Sequence, residues 1–475
     1  MIDTTKKNTM PGSVAYIVGN EAAERFSFYG MRAILVTFLV AHFYNPMDDS
    51  ALTVKAEAQA NETVHFFIFM AYGLPIVGAF LADWFWGRYK VIMWFSLIYC
   101  LGHAMLAIFE QHYEGFYTGL ILVALGAGGV KPNASANLGD QFTHHTESIR
   151  SKAFELFYFG INTGSFLSMM TIPWFYANFG PAIAFGIPGI FMGLSTWLFY
   201  AGRKKYVRVE PKGFPKANLL SVSWLSLKTW LWKRKTKWVE IASEIKDHYG
   251  EETVNNFSAI GRVLRIFAFI PIFWALYDQS SSEWVLQARN MDRLFLGIEW
   301  LPEQIQAINA VLILVYVPLF SFVLYPLLRK IGLKVTPLRK ISLGFVLTIC
   351  AFLFIAVAQE KIDAGQTPGI IYQIVAYTLL TAGEVMISLT GLEYAFTQSP
   401  KSTKSTITAI WLLTNSLGNL LVSRINASIA ADGFFARFEG AAYFWLFVGI
   451  ISVCTVFFIR VTYITERKPI YSTSE

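Results

Sequence analysis

The stretch VAYIVGNEAAERFSFYGMRAILVTFLVAHF, residues 14–43, decides how the rest of the chain is read. It is long and apolar enough to cross a bilayer, which takes about 20 residues. It nevertheless contains Glu21, Glu24, Arg25, Tyr29 and Arg32. At about 100° per residue, Glu21, Arg25 and Arg32 fall on one helical face, with Glu24 and Tyr29 flanking them. A charge held at mid-membrane on an isolated helix costs roughly 2.5–3.5 kcal/mol on insertion scales. Such a stripe is kept where its face lines a polar cavity or meets opposite charges, so function is sought there first.

The chain around it is built for lipid. Of 475 residues, 55% are hydrophobic and only 15% are charged, and apolar runs of about 20 residues recur along its length. A soluble protein is excluded, and so is a β-barrel, which would show short alternating segments. The net charge of +7 does not point to nucleic acid, because the basic excess sits in alternate loops. Cys100, Cys350 and Cys454 lie in apolar runs and read as buried thiols. The first apolar stretch is too long and too charged for a cleavable leader and reads as the first spanning helix.

Spanning helices are expected near 14–43, 63–82, 89–110, 116–138, 152–175 and 181–201. Six more are expected near 262–284, 304–328, 338–358, 369–398, 405–430 and 437–464. The expected fold is an all-α polytopic membrane protein of twelve transmembrane helices. It divides into a six-helix bundle over 1–202, a linker over 203–260 and a second six-helix bundle over 261–475. The Lys/Arg bias sets the orientation. Arg88, Lys90, Arg150, Lys152, Arg329, Lys330, Lys334, Arg339, Lys340, Lys401 and Lys404 lie in loops assigned to the cytoplasm. Asp48, Asp49, Glu57, Glu62, Glu110 and Glu114 lie opposite. Both termini are then cytoplasmic, in a multi-pass protein of the cell membrane. The linker sets Trp224, Trp230, Trp232 and Trp238 among Lys228, Lys233, Arg234, Lys235 and Lys237. That pattern suits an amphipathic segment on the anionic leaflet of the bilayer. Two six-helix blocks joined by a long loop are the layout of two-fold repeat transporters.

Several motifs carry a resemblance. Gly78-Ala-Phe-Leu-Ala-Asp83-Trp-Phe-Trp-Gly87-Arg88-Tyr-Lys90 resembles the motif of the major facilitator superfamily between its second and third helices. The segment Tyr325–Gly332 is a degraded counterpart in the second half. The resemblance implies that glycine permits close packing there and that Asp83 and Arg88 latch neighbouring helices as a gating element. Glu21-Ala-Ala-Glu24-Arg25 resembles the ExxER motif of the proton-coupled oligopeptide transporters, the POT family. Lys131 after Gly128-Gly-Val, Phe157-Tyr158 through Asn162 to Ser165, Phe273-Trp274 through Asp278, and Gly383-Glu384 through Glu393 match further motifs in order. The resemblance spans nearly the whole chain and implies symport of di- and tripeptides with protons by alternating access. It also implies an outer gate made by Arg32 and Asp278.

The residue types suit that task on their own chemistry. A site that accepts many peptides must grip what all share: carboxylate, amine and backbone amides. Arg32 and Lys131 supply cations from the first half, and Glu384 supplies an anion from the second. Asn162, Asn309 and Ser388 offer hydrogen bonds, with helix–helix bonding the rival reading of all three. Tyr29, Tyr72, Tyr158, Trp274 and Trp411 offer rigid amphipathic walls, with plain helix packing as the rival. Glu21, Glu24 and Arg25 form the expected proton-coupling cluster, whose protonation frees Arg25 or Lys131 to change partners. His65, in the second helix, is a further proton-handling candidate, weighed against a hydrogen-bonded structural role. No metal site is expected, since His144 and His145 beside Glu147 make a poor chelate. No cofactor beyond the proton as coupling ion is expected. Phe28 stands where many peptide-transporting family members carry a tyrosine, which removes one hydroxyl from the pocket. A symporter of nitrate, single amino acids or a drug-like anion is the same-fold alternative. An embedded enzyme is disfavoured by the lack of a nucleophile–base set, and a passive channel by the lack of a pore ring.

Overall fold

The computed structural model describes residues 9–50, 52–142, 147–211, 213, 219–232, 238–332, 335–400 and 404–467. The His144–His145 pair, the basic run 233–237, Lys334 and Lys401 lie outside the described residues. The chain is a twelve-helix membrane protein in two bundles. The first bundle contains α1 (Val14–Leu39), α2 (Thr53–Gly73) continuing into α3 (Pro75–Leu81), α4 (Arg88–Ile108), α5 (Tyr113–Asp140), α6 (Glu147–Phe179) and α7 (Pro181–Ala201). Two helices follow, α8 (Leu219–Trp232) and α9 (Trp238–Tyr249). The seventh crossing is broken into α10 (Glu251–Phe267), α11 (Ile270–Tyr277) and α12 (Glu283–Ala288). A short hairpin, β1 (Leu294–Phe295) and β2 (Ile298–Glu299), leads to α13 (Ala307–Leu319) and α14 (Tyr325–Lys330), which form the eighth crossing. The last four crossings are α15 (Pro337–Asp363), α16 (Ile371–Glu384) with α17 (Thr390–Thr397), α18 (Lys404–Ala430) and α19 (Ala441–Arg467).

Ten of these rods are long and apolar enough to cross a membrane unaided, and the bent pair from α10 to α12 makes an eleventh. The remaining crossing, α6, has 33 residues, about 50 Å at the helical rise. Asn162, Ser165 and Ser168 are buried on it.

Each bundle encloses its own hydrophobic core. One core gathers Phe28, Phe38, Phe67, Tyr99, Phe116 and Phe185 from the first half. The other gathers Phe273, Trp284, Phe345, Phe352, Tyr377 and Phe444 from the second. Few side chains cross over: Ala58 joins the second core, Val285 and Leu286 join the first, and a small cluster sets Ala33 and Met169 against Ala307 across the seam. The bonds that do cross the seam are largely polar. Lys55 pairs with Asp432 at 2.6 Å, Asn61 Nδ2 donates to Glu283 at 2.5 Å, and Thr37 Oγ1 donates to Glu303 at 2.7 Å. Ser416 Oγ donates to the Phe69 carbonyl at 2.8 Å and Gln304 Nε2 to the Met170 carbonyl at 2.9 Å. Four of these lie toward the face that carries the loop after α1, called here the far face, and the Ser416 bond lies midway along α18. The chain N-terminus and the linker lie at the opposite, linker face.

Four departures from the sequence reading have physical reasons. The second crossing begins at Thr53, ten residues before the expected start at 63, because the polar residues of its first turns are used against the second bundle: Lys55 on Asp432 and Asn61 on Glu283. The seventh crossing is not one rod. It bends by 44° between α10 and α11, next to Pro271 (no N–H to donate), and breaks again at the 3₁₀ turn Asp278–Ser281. Its helix also starts at Glu251, so the expected boundary at residue 260 falls inside α10. The tenth crossing is interrupted by a π turn over Val385–Leu389, directly after Glu384.

The two expected loop motifs are alike in backbone. A π turn belongs to each: Ala82–Trp86 lies within the first, directly before Gly87, and Phe320–Leu324 precedes the second, with α14 between it and Gly332. Each ends on a glycine in the left-handed region, Gly87 at φ 77° and Gly332 at φ 82°. Arg88 bonds Asp83 at 3.4 Å and also Asp140 at the end of α5, so its latch reaches a third helix that the sequence reading omitted. Gly78 sits where α3 meets α5, and a Cβ there would run into the Gly128 carbonyl oxygen. The G78A substitution therefore forces the two backbones apart. Overpacking of this kind costs about 1–3 kcal/mol. The purified protein is expected to melt several degrees lower, and an unchanged melting temperature would show that the approach is not tight.

Candidate functional site

The charged stripe of α1 faces inward. Glu21, Glu24, Arg25 and Arg32 are all buried, with Glu24 fully so. Arg25 Nε lies 3.0 Å from Glu21 Oε1, one helical turn away, and 2.5 Å from Glu24 Oε2. Tyr99 on α4 donates its hydroxyl to Glu24 Oε1 at 3.2 Å. One guanidinium thus serves two carboxylates, and the cluster carries a net negative charge when both are ionised. The counter-charge stands across the bundle on α5. Lys131 lies within electrostatic reach of Glu21 and Glu24, yet its ammonium is not in contact with them. It sits 3.6 Å from the centre of the Phe28 ring and 4.2 Å from that of Tyr72, and Nζ has no hydrogen-bond partner among the described residues. Cation–π contacts of this kind give about 0.5–2 kcal/mol, less than a hydrogen-bonded ion pair would. Phe28, which departs from the family pattern, is fully buried and forms this seat.

One turn further along α1, Arg32 Nη2 meets Asp278 Oδ1 at 2.5 Å. The ion pair that the family resemblance implied is therefore formed, and it joins the two bundles. It sits inside a wider cage. Asp278 Oδ2 accepts from Asn419 Nδ2 at 2.7 Å and from Asn415 Nδ2 at 3.2 Å. Asn419 Oδ1 contacts His65 Nδ1 at 2.7 Å, and His65 Nε2 contacts Ser282 Oγ at 2.9 Å. Both ring nitrogens of His65 are thus engaged. Its place is in the seam network beside Asp278, one helix away from the Glu21–Arg25 cluster with which it was grouped. Asp278 and Ser282, which supply this cage, stand at the start of the 3₁₀ turn Asp278–Ser281 and directly after it.

The second bundle brings Glu384 to the same region. Asn309 Nδ2 donates to Glu384 Oε2 at 2.8 Å and to Thr381 Oγ1 at 3.0 Å. Tyr277 donates to Asn309 Oδ1 at 3.3 Å. Tyr277 lies within electrostatic reach of Glu384, Tyr29, Asp278 and Arg32 together, and Tyr158 within reach of Glu384 and Tyr29. Cations from the first half and an anion from the second therefore converge on one tyrosine-lined region. Trp274 and Trp411 pack edge to face at 6.2 Å, with Tyr277 5.4 Å from Trp274. The indole Nε1 of Trp274 is buried without a partner among the described residues.

The expected hydrogen-bonding residues are already occupied. Asn162 Nδ2 donates to the Tyr158 carbonyl at 2.9 Å, and Ser388 Oγ to the Glu384 carbonyl at 2.7 Å. Asn309 holds Glu384. Asn415, Asn419, Tyr99, Tyr277 and Ser282 were not singled out in the sequence. The signal for the first two was an Asn pair four residues apart in an apolar helix, one face turned toward a charge.

Twelve crossings in two bundles, with buried charged residues gathered on the seam between them, define a fold of the major facilitator type. A sequence profile described as the POT family matches residues 89–446. The chain is 37% identical over 373 residues to peptide transporter family 1 of Drosophila melanogaster, covering 74% of this chain and 48% of that one. It is 33% identical over 405 residues to human solute carrier family 15 member 2, covering 81% and 54%. The crystal structure of the POT family transporter PepTSo superposes with a TM-score of 0.87 at 34% identity, covering 98% of this chain and 100% of that one. The chain belongs to the POT family, and it spans about half the length of the curated relatives it matches.

Replacing Asp278 by Asn leaves Arg32 buried without an anion. Breaking a buried pair costs about 3–5 kcal/mol, all of it borne by the arrangement in which the far face is closed. Spin labels at Met47 and Leu296, exposed far-face positions on the two halves, are expected to move to longer separations in D278N. An unchanged distance distribution would show that other seam contacts hold the far face shut.

Proposed function

We propose that the protein is a proton-coupled symporter of di- and tripeptides that works by alternating access. The observation that carries this reading is the division of charge across the seam. Arg32 and Lys131 come from one bundle and Glu384 from the other, within a region walled by Tyr29, Tyr72, Tyr158, Trp274 and Trp411. A zwitterionic peptide matches both ends and draws the bundles together. The names of the relatives at 33–37% identity, peptide transporters among them, agree with it.

The proposed cycle uses groups already in contact. With the far face closed, Arg32 is held by Asp278. A peptide carboxylate at Arg32 competes with that bond and so couples binding to opening. Lys131, poised on Phe28 and Tyr72 with unspent hydrogen-bond donors, is the second cation for the carboxylate. Arg25 is the partner released when Glu21 or Glu24 takes a proton, since it is the one cation in contact with both. The linker face is cytoplasmic in this reading, with both termini inside. Trp224, Leu227, Trp230 and Leu231, exposed on α8, lie in the leaflet surface.

The test is uptake of labelled dialanine by proteoliposomes with an imposed inward proton gradient. Wild type is expected to accumulate peptide above equilibrium, with competition by unlabelled dipeptides but not by nitrate. E21Q is expected to lose gradient-driven accumulation, by at least tenfold if about 1.4 kcal/mol of coupling is removed, while keeping peptide counterflow. Undiminished accumulation by E21Q would refute the coupling role, and absence of dipeptide uptake by wild type would refute the substrate class.

A further inference from the structure

A cavity of about 340 Å³ opens on the far face, away from the central site. Its wall includes Gln59, Glu62, Thr63 and Phe66 on α2, Tyr44 after α1, Tyr113 and Tyr117 on α5, and Arg424 on α18. The four α2 positions follow a helical stripe, and a different face of that helix sends Asn61 and His65 into the seam. The back wall is fixed. Tyr44 shares a hydrogen bond with Thr63 Oγ1 at 2.8 Å and another with the Tyr113 hydroxyl at 3.2 Å. Tyr113 stacks on Tyr117 with ring centres 5.8 Å apart, and the Arg424 guanidinium lies 5.8 Å from the Phe66 ring centre.

Glu62 and Arg424 are the two charged side chains of this cavity. They lie within electrostatic reach of each other, and Tyr117 within reach of both. Neither makes an ion pair within 4.0 Å among the described residues, although Lys55 on α2 and Asp432 in the turn after α18 do pair directly. An acid and a base held apart across a ring-lined pocket of this volume leave room for a guest carrying the opposite pair of charges. Small-ligand pockets begin at about 300 Å³, and tyrosine faces favour an ammonium group.

We propose that this cavity is a second binding site, for a small zwitterion whose ammonium is held by Glu62 among the tyrosine rings and whose anionic end is held by Arg424. The shared chemistry has two sources: the headgroup of phosphatidylethanolamine, or a free amino acid or peptide. The site lies where α1 ends and α5 begins, at the level where tyrosines mark a membrane–water interface, which favours the headgroup. Because Glu62 belongs to the first bundle and Arg424 to the second, the guest ties the bundles together on the far face. The site stands whether or not the central cavity carries peptides.

The test uses the full chain with E62Q and R424Q, each checked for folding by its melting temperature. Native mass spectrometry with phosphatidylethanolamine and phosphatidylglycerol reads the lipid source, and equilibrium binding of labelled dialanine in lipid-free detergent reads the free source. Wild type is expected to retain phosphatidylethanolamine over phosphatidylglycerol, and each substitution to weaken that retention about tenfold or more, which is about 1.4 kcal/mol. Retention that survives excess dialanine assigns the headgroup. A second dialanine isotherm that both substitutions remove assigns the free zwitterion. The two substitutions read the site independently, so loss of folding in one leaves the other informative. Binding of both probes unchanged in a folded E62Q or R424Q overturns the proposal.

Discussion

A carboxylate and a guanidinium buried between two bundles set the terms for everything around them. Each ion loses several kcal/mol of hydration on burial, and only good geometry with further hydrogen bonds offsets the loss. Asp278 meets that demand with one oxygen on Arg32 and the other on Asn415 and Asn419. The demand propagates. The seventh crossing carries the carboxylate at the start of its 3₁₀ turn. The eleventh must carry its two amides one turn apart. Asn419, with its amide spent on Asp278, turns its carbonyl to His65, and the imidazole in turn is held by Ser282. Four further side chains from three crossings are thus linked to one ion pair.

The stripe on α1 is the second such constraint, and its chemistry differs. Here two acids crowd one base, and the balancing cation stands off on aromatic rings. Had Phe28 been a tyrosine, its hydroxyl would have offered a partner beside Lys131. With phenylalanine the ring face is what the side chain presents, and the ammonium keeps its three donors unspent. The substitution that looked like a loss from the pocket thus leaves a charge available.

Much of this was legible in the sequence because membranes punish misplaced polarity. Twelve apolar runs announced the fold, and Glu21, Arg25, Arg32, Lys131 and Glu384 stood out because lipid tolerates none of them. What was not legible was direction. Asn309, Asn162 and Ser388 were recognisable as polar, but a polar residue on a helix bonds a guest, a neighbour or its own backbone with equal ease; here Asn162 and Ser388 each donate to their own helix and Asn309 to Glu384. The start of the second crossing was misjudged because Lys55, Glu57, Asn61 and Glu62 read as loop. The partners of Lys55 and Asn61, Asp432 and Glu283, lie hundreds of residues away. The break in the tenth crossing leaves little trace in composition, since its π turn uses largely apolar residues like the helix it interrupts, whereas the break in the seventh falls on the polar run Asp278–Ser282.

The separation of the two hydrophobic cores has one more consequence. Where oily surfaces meet, parting them exposes area that water resists. Here the hydrogen bonds and ion pairs of the seam stand beside small apolar patches such as Ala33, Met169 and Ala307, so the area that opening exposes is limited, and each six-helix unit has its own packed interior. The molecule behaves as two solid jaws on a wettable hinge, and small perturbations (a proton, a bound ion, a single amide) are enough to tip it.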